Sequence, residues 1–256
     1  MTMRLARSLV LAGTLLTWAV PAAARHGDVV IDARRATPGL HLAVTERPRA
    51  TAASTGPTYR LSASGVPRGV LFGIWTKDFG QLFQQVASGF RLNEAGMLEM
   101  TDDEGRPRRL DELVLDPGSY PRGAAWEIAL VSADHSVMAV TKIFPRPIAS
   151  RNGACGVSLE LATRSGDRFI ATTQGFEAGE ALVVELHQAT GMTQKRLRVP
   201  VEGRFPLDLI SHGTPGADRR ARYIVKGATC EVAVEYTWGE PATLSRDARQ
   251  TIRREN

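Results

Sequence analysis

The sequence predicts an all-β protein built from two copies of a β-sandwich-like unit. Apolar and polar residues alternate over short runs, as at Val157, Leu159 and Leu161. Because successive side chains of a strand point to opposite faces, this alternation is typical of strands with one buried face. Turn signals such as "RSGD" and "VEGR" separate the runs. Many short strands with frequent turns favour a sandwich.

A repeat in the order of these signals is the further observation that predicts two units. At Gly65 the chain reads "GVPRG" and then "VLFGIW", and at Gly175 it reads "GFEAG" and then "ALVVEL" after one Glu. In each copy an "EAG" or "EG" turn follows, and then two strand patterns that end in an aromatic residue and Pro. Glycine provides the positive φ angles of such turns. The repeat predicts one sandwich domain over residues 58–148 and a second over residues 149–242.

This order of elements resembles the tandem immunoglobulin-like sandwich modules of exported bacterial proteins. The likeness is carried by "GFEAGEALVVEL", the "EG" turn after it and the C-terminal strand pair. The resemblance implies two tandem immunoglobulin-like β-sandwich domains. It implies no activity, because this architecture hosts many unrelated functions.

Residues 1–24 have the three-part layout of a secretory signal peptide. Arg4 and Arg7 precede an uncharged, mostly apolar run at residues 8–20, and small residues suited to cleavage follow at 22–24. The run is shorter than the roughly 20 residues that a spanning helix needs. We therefore expect an exported protein, periplasmic or extracellular, with no transmembrane segment in the mature chain. The alternative is an uncleaved N-terminal anchor.

The segments around the two predicted domains are less regular. Residues 25–57 contain two short alternating runs and then a linker-like stretch, and the runs could pair with each other or with the first unit. The connection "FPRPIASRNGA" at residues 144–154 has two prolines and is predicted to be short and semi-rigid. Residues 243–256 are basic and nearly devoid of apolar side chains, so we expect a disordered tail.

The chain has two cysteines, Cys155 and Cys230. An even number in an exported chain favours a disulfide between them. The alternative is a pair of buried free thiols. No CxxC motif or nearby His pair accompanies either residue, so a metal site is not expected.

The charge balance does not point to nucleic acid. The formal net charge is +5, and the arginines are scattered rather than clustered with aromatic residues on one face. We expect no nucleic-acid partner.

The sequence lacks the common catalytic motifs. It has no Gly-x-Ser-x-Gly elbow and no His-Glu-x-x-His. Asp134, His135 and Ser136 are sequence neighbours and are expected to form a turn between two strands, not a triad. The acids of "TDDEG" at residues 101–105 lack the ligand spacing of a calcium loop. We predict no catalytic activity, no cofactor and no metal ion.

Two features of the first unit have no counterpart in the second. Apolar residues at helical spacing in "FGQLFQQV", residues 79–86, predict a short amphipathic helix. The longer connection at residues 102–123 is a candidate partner-binding loop, because binding residues tend to lie on long loops. The alternative is a surface excursion without a partner. The candidate binding residues of this loop are Arg106, Arg108, Arg109 and Tyr120.

Trp75, Trp126 and Trp238 lie in or beside apolar runs and are expected in the core. The sequence therefore predicts a non-catalytic exported protein of the bacterial cell envelope, a structural or protein-interaction module. The alternative is a carbohydrate- or peptidoglycan-binding module that uses exposed Trp or Tyr side chains. The expected partner is an envelope protein or a cell-wall polymer.

Overall fold

The computed structural model confirms an all-β protein. Its described residues from Ile31 onward form one compact unit. The predicted signal peptide, residues 1–24, and nearly all of the predicted tail lie outside the described part of the chain. The described residues are 30–47, 57–201, 205–211 and 218–243.

Seventeen strands are described, and all their pairings are antiparallel. The described helical elements are two short 3-10 turns, Ala33–Arg35 and Leu110–Glu112, and the four-residue helix α1, Glu240–Thr243. None of them is long or apolar enough to cross a bilayer. In chain order the strands are β1 His41–Arg47, β2 Thr58–Ser64, β3 Phe72–Lys77, β4 Gln84–Leu92, β5 Leu98–Thr101, β6 Pro107–Arg109, β7 Val114–Leu115, β8 Trp126–Ser132, β9 Met138–Ile143, β10 Ile148–Asn152, β11 Cys155–Leu161, β12 Arg168–Gln174, β13 Ala181–Gln188, β14 Gly191–Arg198, β15 Phe205–Ile210, β16 Arg220–Lys226 and β17 Glu231–Thr237.

The strands build four sheets. Residues 41–143, which we call the first sandwich, contain a three-stranded sheet in the order β1-β2-β7 and a six-stranded sheet in the order β6-β5-β4-β3-β8-β9. Residues 148–237, the second sandwich, contain the sheets β10-β11-β12-β15 and β14-β13-β16-β17. Seven strands of each sandwich occupy equivalent sheet positions, so the repeat read from the sequence is also a repeat of topology.

Aromatic side chains pack the two sheets of each sandwich together. In the first sandwich, Tyr59 of β2 lies 6.1 Å from Trp126 of β8, measured between ring centroids. In the second, Phe169 of β12 lies 4.7 Å from Tyr236 of β17. All four side chains are buried, as expected for two sheets that share a core.

The repeated glycine turn has the same physical cause in both sandwiches. Gly65 and Gly175 have φ angles of 71° and 80°. A Cβ at Gly65 would overlap the carbonyl oxygen of Gly39, and a Cβ at Gly175 would overlap that of Ala154. The turn after β2 therefore passes directly over the backbone that leads into β1, and the turn after β12 passes over the backbone that leads into β11. Only glycine allows this approach.

The predicted helix at residues 79–86 is wrong. The segment forms a turn and then the start of β4, which pairs with β3 from Phe72↔Phe90 to Thr76↔Gln84. Leu82 and Val86 are 80% and 50% exposed, so the apolar spacing does not form a buried stripe. A short run with helical spacing is ambiguous, and pairing with a strand outside the run decides its structure.

Both segments next to the predicted domains contribute strands. β1 pairs with β2 along its whole length, from His41↔Ser64 to Arg47↔Thr58. The first sandwich therefore begins before residue 58. The predicted connection at residues 144–154 contains β10, which pairs with β11. A disulfide joins Cys155 and Cys230, as predicted, with 6.5 Å between the Cα atoms.

The two sandwiches are in direct contact. The Leu161 amide donates to the Gly123 carbonyl (2.8 Å), and the Gly123 amide donates to the Arg146 carbonyl (2.7 Å). Lys142 Nζ lies 2.8 Å from the Glu160 carboxylate. A Cβ at Gly123 would meet the Ile148 side chain. The loop before β8 thus binds the first strands of the second sandwich.

Candidate functional site

The predicted partner-binding loop is partly a β-hairpin. Arg106 and Arg108 lie on the β5–β6 turn and strand, where the Asp102 carboxylate accepts from the Arg106 amide (2.8 Å), Arg106 Nε (3.2 Å) and Arg108 Nε (3.1 Å). The hydrogen bond that the Arg106 backbone amide donates to Asp102 is the main reason why the pKa of this carboxyl is lowered to about 2. The guanidinium groups of Arg106 and Arg108 lower it further. Both arginines are therefore paired within their own hairpin.

Arg109 has its own acidic partners. Its Nε lies 3.2 Å from Glu112 Oε1 and 3.3 Å from Asp111 Oδ1. The Arg109 amide also donates to Glu112 (3.1 Å). The predicted loop thus brings three arginines near one another, but it neutralises each of them internally.

Tyr120 is separate from the three arginines and is a core residue. Its side chain is 3% exposed. Its hydroxyl accepts from the Phe79 amide (2.7 Å) and donates to the Ala125 carbonyl (2.9 Å). The expectation that Tyr120 contacts a partner is therefore corrected: this hydroxyl fastens one loop to the neighbouring turn.

The tryptophans are in the core, as predicted. Trp75, Trp126 and Trp238 are at most 9% exposed. The tyrosines Tyr59, Tyr120, Tyr223 and Tyr236 are also buried. Within the described residues, therefore, no Trp or Tyr ring is exposed to stack on a sugar.

Asp134, His135 and Ser136 form the predicted turn. The Asp134 carboxylate accepts from Ser132 Oγ (2.6 Å) and Ser136 Oγ (2.8 Å). These bonds, with the Ser136 amide, lower the pKa of Asp134 to about 2. His135 instead faces Trp75 with the ring centroids 6.2 Å apart. Nowhere in the described ranges do three His, Cys, Asp or Glu side chains form a group that could hold a metal ion.

Sequence reasoning missed the edge of the second sandwich formed by β14. This eight-residue strand ends its sheet and pairs with β13 in unbroken register, from Ala181↔Arg198 to Gln188↔Gly191. Among the described strands that end a sheet, it is the longest. The edges on the other side of each sandwich are packed together, β1 against β9 and β10 against β17.

The equivalent edge of the first sandwich is irregular. β4 pairs with β3 through two register shifts, between Phe72 and Gly73 and between Ile74 and Trp75. β5 and the three-residue β6, which begins with Pro107, extend the sheet beyond the end of β4. Bulges, prolines and short strands discourage pairing with another chain. β14 has no register shift and no proline, and it is not short. Its charged side chains are the protection that it does have.

The backbone of β14 offers outward-facing hydrogen-bonding groups. The Val199 amide donates to the Glu180 carbonyl (2.9 Å). Hydrogen-bonded pairs alternate along an antiparallel ladder. The backbone amides and carbonyls of Leu197 and Lys195 therefore also point toward β13. The amides and carbonyls of Gln194 and Arg196 then point away from the sheet.

Three of the exposed side chains of β14 are basic, and the other exposed side chains, Met192, Thr193 and Gln194, are uncharged. Lys195, Arg196 and Arg198 have no carboxylate within 4.0 Å among the described residues. Arg198 donates instead to the Gly179 carbonyl (3.3 Å). This strand therefore presents positive charge that the described chain does not neutralise.

Beside β14 lies a cleft of ≈ 330 Å³ between the two sheets. Its volume falls in the range of about 300–1,000 Å³ that is typical of binding pockets. Tyr223 is 1% exposed and contributes to its lining. Ile210, on the β15 rim, is 50% exposed. Other lining residues are Val184, Leu186, Thr193, Lys195 and Leu209.

Glu185 fastens β14 to the rest of its sheet. Its carboxylate accepts from Lys226 Nζ (2.8 Å) and Gln194 Nε2 (3.3 Å) and lies 3.0 Å from His187 Nε2. The bond from Lys226, followed by that with His187, lowers the pKa of Glu185 to about 2. The Glu185 carboxylate, which contacts β14 through Gln194, is therefore already paired with Lys226.

No model of a known protein family matches the chain, and no curated protein is significantly similar to it. The sandwich architecture is a property of the structure, and the immunoglobulin-like relationship stays a prediction.

Proposed function

We propose that the chain is a non-catalytic, exported protein of the bacterial cell envelope that binds a partner protein through the edge of β14. The two sandwiches act together as a spacer that positions this edge. The observation that carries the proposal is the long, regular edge of β14, which pairs with no other strand and has basic side chains without acidic partners among the described residues.

A free strand edge is a ready-made binding surface. An extended segment of a partner can add to the sheet through backbone hydrogen bonds, while side-chain contacts give specificity. The outward amides and carbonyls of Gln194 and Arg196 supply those bonds. The unbroken register with β13 keeps them in line.

Contacts between the sandwiches support the spacer role. The hydrogen bonds of Gly123 with Leu161 and Arg146 and the Lys142–Glu160 ion pair join the two halves. Because backbone groups and a close glycine contact form the junction, rotation at the connection would break several interactions together.

The disulfide supports export. Such bridges persist in oxidising compartments such as the periplasm and are rare in the cytosol. The Cys155–Cys230 bridge and the predicted signal peptide at residues 1–24 point the same way.

The carbohydrate-binding alternative has no favouring observation. The Trp and Tyr rings on which it depended are buried wherever the structure describes them. The loop at residues 102–123 is a weaker protein-binding candidate than β14, because its arginines are paired with its own acids.

Site-specific photo-cross-linking in the native envelope fraction tests the proposal. A cross-linking residue is placed at Gln194 on β14, with matched positions at Arg108 on β6 and Arg151 on β10. We expect one reproducible protein adduct at residue 194 only, lost when Arg196→Pro removes an outward amide. An adduct only at residue 108 would move the site to the predicted loop. Recovery of polysaccharide instead of protein would replace the proposal with the carbohydrate-binding alternative.

A further inference from the structure

We infer that the edge of β14 selects an extended partner segment in which acidic and apolar residues alternate. This inference rests on the proposed function and names the chemistry of the partner. The acidic side chains would face Arg196 and Arg198, and the apolar side chains would cover the cleft between β14 and β15.

The outer face of β14 supplies the preference for acids. Gln194, Arg196 and Arg198 lie on the same face, because side chains two apart in a strand point the same way. The neighbouring carboxylate of Glu185 is bound by Lys226 and lies against His187. Acidic residues of an added strand would therefore be the partners available to the two arginines.

The inner face of β14 supplies the preference for apolar residues. A strand added beside β14 would direct every second side chain toward the mouth of the ≈ 330 Å³ cleft. The cleft wall includes Val184, Leu209 and the ring of Tyr223, all buried. The carboxylate at its rim, Asp208, is paired with Arg168 at 2.7 Å. Apolar side chains fit this wall, because Asp208 keeps its partner and the exposed Lys195 can extend its ammonium group into solvent.

The same charges disfavour a second copy of this chain as the occupant. Two β14 edges paired with each other would bring Lys195, Arg196 and Arg198 of both copies together. Like charges directly opposite each other destabilise a strand pair. An acidic segment relieves this repulsion, and we therefore assign the edge to a different protein.

Four labelled peptides of equal length test the inference by fluorescence anisotropy with the mature protein. One alternates Glu and Val, and a second has the same composition with Glu and Val in separate blocks. The third replaces Glu with Lys, and the fourth replaces Val with Ser. We expect the first to bind most tightly, and its affinity should fall as salt is raised because the arginine contacts are exposed.

Two protein variants separate the two faces. Arg196→Gln with Arg198→Gln should weaken the alternating Glu/Val peptide by about threefold to tenfold, since exposed ion pairs are individually weak. Thr193→Phe should fill the cleft mouth and weaken the same peptide by about tenfold, the effect of losing part of one buried apolar side chain. Arg151→Gln, on β10, is the matched control for the arginine substitutions.

Arg196→Pro separates failure of the inference from failure of the proposed function. Equal binding of all four peptides, abolished by Arg196→Pro, would overturn the alternating pattern but keep the edge as the site. No effect of Arg196→Pro on any bound peptide would overturn both. A dimer in sedimentation that Arg196→Pro dissociates would assign the edge to a second copy and overturn the inference.

Discussion

Gly65 and Gly175 show at residue scale why this chain repeats a short motif. Each residue combines a positive φ with a backbone carbonyl lying where a Cβ would be. The second glycine of the later turn, Gly179, has φ 79° but open space around it. At Gly179 a side chain would meet only the strain of a positive φ angle. At Gly175 it would also overlap a backbone carbonyl.

Gly175→Ala should destabilise the protein much more than Gly179→Ala. We expect about 1 kcal/mol for Gly179→Ala, the cost of a non-glycine residue at positive φ. Gly175→Ala adds overlap with the Ala154 carbonyl, so the loss should reach about 3 kcal/mol. Urea denaturation of both variants measures the difference. Equal losses would show that the turn does not depend on the close approach.

Glu185→Gln should reduce the amount by which the free energy of unfolding falls at acidic pH. Lys226, with His187, holds the pKa of Glu185 at about 2, below its ordinary value of 4.5. A lowered folded-state pKa contributes stability that is present above 4.5 and is lost as the pH falls toward 2. Denaturation at several pH values should show a smaller acid loss for Glu185→Gln than for the wild type. Lys226→Met, which removes the main cause, should act in the same direction, and identical curves would refute this role.

At the scale of elements, β14 and β4 illustrate how equivalent strands diverge. Both occupy the same place in their sheets. β4 has two register shifts, and a short hairpin extends the sheet from its end. β14 has a continuous register and is the last described strand of its sheet. No described strand of the second sandwich corresponds to β5 or β6. The availability of this edge for strand pairing is thus a property of the element and its neighbours.

Proline substitution should reveal which way the β14 backbone faces. Arg196→Pro removes an outward amide and should cost less than about 1 kcal/mol, since proline is tolerated on edges. Lys195→Pro removes a ladder hydrogen bond to β13 and should cost about 3 kcal/mol or more. Thermal unfolding followed by circular dichroism compares the two. The reverse order would contradict the assigned alternation and with it the binding surface.

At the scale of the whole molecule, covalent and backbone links join elements that are distant in sequence. The disulfide connects β11, the first repeated strand of the second sandwich, to the turn before β17. The bridge therefore spans both sheets of that sandwich, and the Gly123 contacts join the second sandwich to the first.

Removal of the bridge should lower global stability. Closure of a loop with a sequence separation of 75 is worth about 4 kcal/mol in the chain-entropy model. Guanidinium denaturation of the Cys155→Ala, Cys230→Ala variant should show this loss, and the reduced wild type should match it. An unchanged midpoint in both would mean that the bridge does not constrain the unfolded chain.

The sequence by itself determined the features that depend on local physics. Alternating residues predicted the strands, paired glycines predicted the repeated turns, and the two cysteines predicted their bridge. Arg106, Arg108 and Arg109 were located on a surface loop, but their pairing with nearby acids was not anticipated.

The tertiary structure alone decided the features that depend on distant partners. Residues 79–86 have helical spacing but become a turn and the start of a strand because β3 supplies their backbone partners. Tyr120 is polar enough for a surface, but the Phe79 amide and Ala125 carbonyl hold its hydroxyl inside. The β14 edge is likewise defined by what does not pair with it among the described strands. Such properties arise from the arrangement of whole sheets, since hydrogen bonding between strands is set by neighbours that a local pattern does not contain.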